Sequence, residues 1–378
     1  MNTKHASLAT RRVALGILGA ASVALAMGSA AFAQDLKGEG EVVVAHWGGI
    51  DGAAVESLLP RFTEETGIDV VGVEVGDADY GPKLVLQQRT GNAEWDVALG
   101  MLVDHFSAVD QDGMFAGLDT SKWDPDVVSA YMDAGLMGEN WAAGPSEGLW
   151  LLYGPALDDN PPTSWADFFD LEKYPGNRAM SAGGAGILAN LQYALIADGV
   201  SPDELYPLDV DRALAKLSTI RDNLVLWEAS PKGIEALVAG DVVMDWAFGP
   251  SVFRALDADQ PVRLAIEGLQ TAVDRTRDAV LANGANQENA QIFLTWWKQP
   301  EIQAAYAEAT KGGLIVPIDA VIEKVDPALQ DSLPFSSQYG DDAFFFLDDP
   351  WYNEIDPDTG KTNLDGVIAA FTAWRIGL

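Results

Sequence analysis

Residues 42–50 read VVVAHWGGI, an apolar, β-branched run that stops on a histidine, a tryptophan and two glycines. The run from Glu41 to Ala45 fits a buried strand. A turn after it needs the glycines but has no use for the indole of Trp47. A loop that grips a ligand needs both an aromatic wall and backbone that can be approached closely. The flanking sequence shows what kind of fold presents that loop. Ala53 to Thr66 carries Val55, Leu58, Leu59 and Phe62 at helical spacing, and Gly67 stops it. IDVVGVEVG then reads as a second strand, and DYGPKLVLQQRTG as a helix that starts near Pro82. WDVALGM reads as a third buried strand, and VDHFSAVDQDGMFAGLD as a helix followed by a turn. Strand and helix alternating in this way predict an α/β fold, a parallel sheet with helices on its faces.

The second half alternates as well. GLWLLYGP is a strand that leads toward a second lobe. PTSWADFFD gives a short helix with Ser164 as its N-cap and Asp167 in the capping-box position. ILANLQYALIADG and DVDRALAKLSTIRDN are amphipathic helices, and LVLWE and VVMDWAFGP are strands around the helix SPKGIEALVAGD. RDAVLANGA returns with a strand. NQENAQIFLTWWKQPEIQAAYAEATKG reads as helical and ends on Gly312-Gly313, and a last helix runs from Leu364 to Ile376. No repeat or low-complexity linker separates the halves, so crossing strands rather than a tether are expected to join the lobes. The expected division is 1–33 signal peptide, 34–150 first lobe (completed by part of the C-terminal region), 151–280 second lobe, and 281–378 a helical region packing back across both.

The start of the chain predicts export. Lys4, Arg11 and Arg12 precede an apolar stretch from Val13 to Met27, and Ala31 and Ala33 form an A-x-A cleavage site. The arginine pair fits either a general or a twin-arginine route. The apolar stretch is short and rich in Gly and Ala for a spanning helix, which needs roughly 20 strongly apolar residues. No stable membrane insertion is expected. The formal charge of -34 argues against nucleic acid or an anionic membrane as partner. With no cysteine there is no disulfide, thiolate metal site or cysteine nucleophile. Beyond the signal only His46 and His105 remain, too few for a multi-histidine metal site. No metal and no cofactor is expected.

Several stretches invite a chemical reading. GAGILA, Gly184 to Ala189, has the form of a dinucleotide turn, but the acid that should close the next strand does not follow. Glycines at a helix start still expose N–H groups that favour an anion or a polar ligand group. DPDTGKTNLDG, Asp356 to Gly366, lacks the third oxygen ligand before the glycine and the closing glutamate of a calcium loop, and reads as a surface turn. Trp47 and Trp246 each follow an apolar run, and Asp245 precedes the second. Ligands in parallel α/β sheets sit outside the carboxyl ends of the strands. Two indoles there, one from each lobe, can close on a cation from both sides.

In order and over nearly the whole mature chain, VVVAHWGGID…LLPRFTEETGIDVV, GNAEWDVALG, DGMFAGLD, PTSWADFFDLEKYPGNRAM, GIEALVAGDVVMDWAFGPSVFRAL and NGANQENAQIFLTWWKQPEIQAAYAEATKGGLIVP resemble the periplasmic solute-binding proteins of ABC importers. The closest resemblance is to the spermidine/putrescine branch. It implies a two-lobe periplasmic binding protein fold with crossing hinge strands, of the type II kind, with no catalytic activity. It also implies a periplasmic monomer that captures a small amine-bearing solute and delivers it to a membrane permease. On it, Trp47 and Trp246 are aromatic walls, Asp245 or Asp278 pairs with the ammonium, and Tyr80 and Glu147 flank the cleft. The sequence also departs from that branch. SAGGAGIL carries glycine where further acids are usual, and Arg275 and Arg277 replace an aromatic. A zwitterionic or anionic solute, such as an amino acid, an opine or a phosphonate, is therefore the alternative, with Gly184 and Arg277 at its acidic end. A secreted acidic glycoside hydrolase would need a carboxylate pair across a groove, and a ferric-ion binder a tyrosine cluster that the sequence does not show.

Overall fold

A computed structural model describes residues 36–109, 111–265, 269–330, 333, 339, 343–347 and 350–376. The expected signal peptide lies outside them. The strands are β1 (Glu41–Trp47), β2 (Asp69–Val75), β3 (Val97–Met101), β4 (Ala142–Ala143), β5 (Glu147–Tyr153), β6 (Arg178–Ser181), β7 (Leu224–Trp227), β8 (Met244–Phe248), β9 (Arg263–Leu264), β10 (Thr271–Asp274), β11 (Arg277–Val280) and β12 (Phe344–Phe346). They form two sheets. The first has the order β2-β1-β3-β11-β4, and the second β12-β10-β5-β8-β6-β7 with β9 beside β5.

The opening of the first sheet follows the sequence pattern. β1 runs parallel to β2 in unbroken register from Glu41 opposite Asp69 to Trp47 opposite Val75, and β3 lies parallel on its other side. The helix Gly49–Thr66 joins β1 to β2 and buries Val55, Leu58, Leu59 and Phe62. It begins four residues earlier than the apolar spacing predicts and ends at Gly67 with φ 84, a left-handed cap that glycine adopts without strain. The long C-terminal helix expected over 286–312 is two helices, Gln287–Trp297 and Pro300–Ala309. Pro300 lacks the N–H that would continue the first and instead sits at the start of the second.

Between the sheets the chain crosses twice in antiparallel strands that change sheet. Residues 144–146 lead from β4 in the first sheet to β5 in the second, and residues 275–276 lead from β10 in the second to β11 in the first. The two crossings are tied: Gly144 N–H donates to Thr276 O at 3.0 Å, and Thr276 Oγ1 donates to Pro145 O at 2.9 Å. A Cβ on Gly144 would lie 2.5 Å from both Asp278 Oδ1 and Thr276 Oγ1, so only glycine fits this junction. Ser146 also pairs with Ile315, which brings the chain after the helix Pro300–Ala309 to the same place.

These pairings move the expected lobe boundaries. β5 spans the boundary expected at 150 and pairs within the second sheet. β11 lies inside the expected second lobe yet pairs with β3 and β4 of the first. The tail divides as well. Phe293, Trp296, Tyr306 and Val316 join the core under the first sheet, whereas Leu347, Tyr352 and Phe371 join the core of the second. The Asp356–Gly366 stretch is a closed turn. Asp356 accepts from Asp358 N–H, and Thr362 caps the helix Asn363–Arg375 in a full capping box. Among the described residues no helix is long and apolar enough to cross a membrane.

Candidate functional site

A cleft of about 430 Å³ lies where the strand ends of the two sheets face each other. On the first-lobe side β1 and β3 deliver Trp47, Leu99 and Gly100. The Trp47 indole is fixed on both sides. Its Nε1 donates to Gly100 O at 2.6 Å, and its ring packs on Tyr80 and His105 at 5.5 and 5.4 Å. Gly100 has φ +72, and a Cβ there would stand 2.7 Å from the indole. The close approach of strand to ring therefore requires glycine.

Asp51, in the first turn of the helix Gly49–Thr66, also faces the cleft and accepts a hydrogen bond from the Tyr306 hydroxyl. Burial pushes its carboxyl up to about 6, against the opposing pulls of the Tyr306 bond and His46. Glu147 and Asp274 come next, from the two crossing strands. They stand opposite each other in the β5–β10 ladder, and both line the cleft. Like charges directly across an antiparallel pair destabilise it. Burial, then the charges of Asp274 and Asp51, push Glu147 well above the usual carboxylate range.

The second lobe supplies a different surface. β6 ends at Ser181, and Gly183, Gly184 and Ala185 line the cleft and lead into the helix Gly186–Ala197, whose Ile187 and Leu188 N–H groups already donate to Gly184 O and Ala185 O. Trp227 at the end of β7 lines the cleft, and its Nε1 donates to Asp245 Oδ1 at 2.9 Å. Phe248 ends β8 beside it, its N–H donating to Ser230 Oγ at 3.1 Å. Glu228 also lines the cleft, but it stands 3.7 Å from the guanidinium of Arg375.

Of the residues singled out in the sequence, Trp47, Glu147 and Gly184 line this cleft. Five others stand behind its walls. Tyr80 is fully buried under Trp47 and donates to Leu99 O. Trp246 is buried with its Nε1 on Asn190 Oδ1 at 3.0 Å, because β8 continues two residues past it to Phe248. A strand has period two, so Phe248 takes the cleft end of the same face. Asp245 is held beneath Trp227, and burial keeps its carboxyl far above the usual range. Asp278 is wholly buried against Gly100, Trp297 and Lys298. Arg277 lies over the rings of Phe106 and Trp141 at 5.2 and 5.0 Å, away from the cleft. Sequence reasoning missed Asp51, Trp227 and Asp274. Asp51 and Asp274 follow a strand or close one in the manner of His46-Trp47, and that position was the available signal. Among the described residues that line the cleft there is no lysine and no arginine.

Comparison with known proteins gives this geometry a family. Residues 57–332 match the model of the bacterial extracellular solute-binding proteins. The gamma-aminobutyric acid-binding protein of Pseudomonas aeruginosa is 29% identical over 295 residues, 75% of this chain and 78% of that protein. The crystal structure of an ABC transporter protein from Rhodopseudomonas palustris is 25% identical with a TM-score of 0.71, over 90% of this chain and 99% of that one. The structure of the Atu4243–GABA receptor aligns at a TM-score of 0.74 and 24% identity, over 89% and 97%. Two α/β lobes facing each other across an acidic, aromatic cleft are thus a means of capture and not of catalysis, and the chain belongs to the bacterial extracellular solute-binding proteins that serve ABC transporters.

Proposed function

We propose that the protein captures a small amine-bearing solute that also carries a carboxylate, an amino acid of the 4-aminobutyrate kind. The observation that carries this reading is the pair Glu147 and Asp274, two carboxylates set across one ladder at the cleft with Asp51 nearby and no lysine or arginine on the lining. Burial and their proximity make it costly to ionise both in the empty site, and an ammonium placed among them offsets that cost. Trp47, Trp227 and Trp297 line the same cleft, and indoles attract a cation. The glycine-rich start of the helix Gly186–Ala197 faces the cleft without a nearby acid other than Glu228, which Arg375 offsets. The N–H groups of Gly184 and Ala185, in the loop that opens it, suit a carboxylate. The name of the Pseudomonas relative agrees with such a solute. In this reading the protein is a monomer of the periplasm, closes by a hinge at residues 144–146 and 275–276, and hands its solute to the permease. Ligand contacts to both lobes in the closed state drive that closure.

Thermal unfolding against four related probes tests the reading, since a ligand of the native state raises the melting temperature. The expected order of shifts is 4-aminobutyrate, then butylamine, with butyrate inactive. Butyrate acting without any effect of butylamine removes the ammonium site from the proposal. Putrescine acting more strongly than 4-aminobutyrate removes the carboxylate end.

A further inference from the structure

We propose that Asp278 is a positioning residue that sets both first-lobe indoles of the cleft without touching the solute. The carboxylate is fully buried and accepts three hydrogen bonds. Oδ1 takes the N–H of Gly100 at 2.7 Å, and Oδ2 takes Trp297 Nε1 at 3.0 Å and Lys298 Nζ at 2.6 Å. Each donor leads to the cleft or the hinge. Gly100 O in turn accepts the Trp47 indole, so the wall at Trp47 hangs on Asp278 through one peptide unit. Trp297 lines the cleft itself. Lys298 Nζ also donates to Ala143 O at 2.6 Å, the last residue before the crossing at 144–146. One carboxylate therefore joins two aromatic walls to the edge of the hinge.

The chemistry explains why a charged group serves here. Three donors converge on one side chain, and only an ionised carboxylate offers acceptors to all of them with no hydrogen of its own. An amide would turn its NH₂ toward at least one donor. Lys298 supplies the counter-charge that a buried carboxylate requires, and its own pKa is lowered by burial against the pull of Asp278. The pair is thus electrically closed, and it leaves the cleft acids as the groups that meet the solute.

The test uses the full protein carrying 5-fluorotryptophan, with the Trp47, Trp297 and Trp123 resonances assigned from the W47F, W297F and W123F variants. Asp278→Asn alone leaves the Lys298 charge buried without a partner and is expected to unfold more readily. The double variant D278N/K298M removes both charges together and keeps the fold measurable. In the unliganded double variant the Trp47 and Trp297 fluorine resonances are expected to move or broaden, while that of Trp123, which sits elsewhere in the first-lobe core, stays. Affinity for 4-aminobutyrate is expected to drop about tenfold, the scale of one hydrogen bond to a charged group. A folded double variant with unchanged Trp47 and Trp297 resonances overturns the proposal. The fluorine measurement needs no ligand, so a parent protein that ignores 4-aminobutyrate overturns only the solute reading.

Discussion

Acidifying the solution from pH 7 to pH 5 should weaken capture of an amine about tenfold, with Asp51 setting the size of the loss. Its carboxyl is pushed up to about 6 by burial. About nine tenths of it is ionised at pH 7 and about one tenth at pH 5. An ammonium in the cleft is held by the ionised form, so the apparent dissociation constant rises in proportion, a cost of about 1.4 kcal/mol. Glu147 is also pushed well above the usual carboxylate range, by burial and then by Asp274 and Asp51. Calorimetric titration with 4-aminobutyrate from pH 5 to 8, in buffers of different ionisation enthalpy, reads both the constant and the protons released. Near pH 6 binding should expel about half a proton from Asp51 alone. Asp51→Asn should flatten that part of the profile. A dissociation constant that is level across the range, or that tightens on acidification, refutes the reasoning. The same residue acts on stability with a fixed sign. Its folded pKa exceeds the ordinary 3.8, so the stability it contributes is complete below 3.8 and is lost as pH rises through about 6. The loss at pH 8 is about 3 kcal/mol. The melting temperature of Asp51→Asn relative to the parent should therefore climb from pH 5 to pH 8.

Other changes report on single features. Gly100→Ala places a methyl 2.7 Å from the Trp47 indole at φ +72. It should cost about 1–2 kcal/mol in backbone strain and weaken 4-aminobutyrate binding by displacing Trp47, read by calorimetry and indole fluorescence. Gly144→Ala meets Asp278 and Thr276 at 2.5 Å, and about 1–3 kcal/mol of stability should be lost in denaturant melts. Burial raises the Asp245 carboxyl well above the ordinary carboxylate range, so its stabilising contribution fades as pH rises above that range. Asp245→Asn retains an acceptor for Trp227 and should gain melting temperature over the parent more at pH 8 than at pH 5.

The architecture was legible because the chain signals it locally. Val42 to Ala45, the helix after it and Gly67 each state their own conformation, and the alternation that follows admits few folds. Family-specific runs such as FTEETGI and TSWADFFD carried the rest. The cleft was less legible, for a geometric reason. Trp246 and Phe248 lie on one strand face, and only the point where β8 stops decides which of them meets solvent and solute. Strand ends are set by what packs beyond them, which no local pattern contains. Asp278 and Asp274 differ in the same way. Both are acids near the second crossing, yet β10 ends with Asp274 at the cleft, while Asp278 is drawn behind Gly100 by Lys298 and Trp297. Arg277 gave a sign of charge but no direction, and the rings of Phe106 and Trp141 took it.

The crossing of β11 back into the first sheet has a bearing on how the molecule is made. The first sheet opens with β1 at residue 41, but β11, which lies between β3 and β4, arrives only at residue 277, after nearly all of the second sheet has been synthesised. The second sheet in turn lacks its edge, β12, until residue 344. The first half therefore cannot close its sheet until most of the second has been made, and the second waits longer still for its edge. Such long sequence separations slow folding. They also delay completion of either sheet until late in synthesis, which suits a protein whose relatives work outside the cell that builds them.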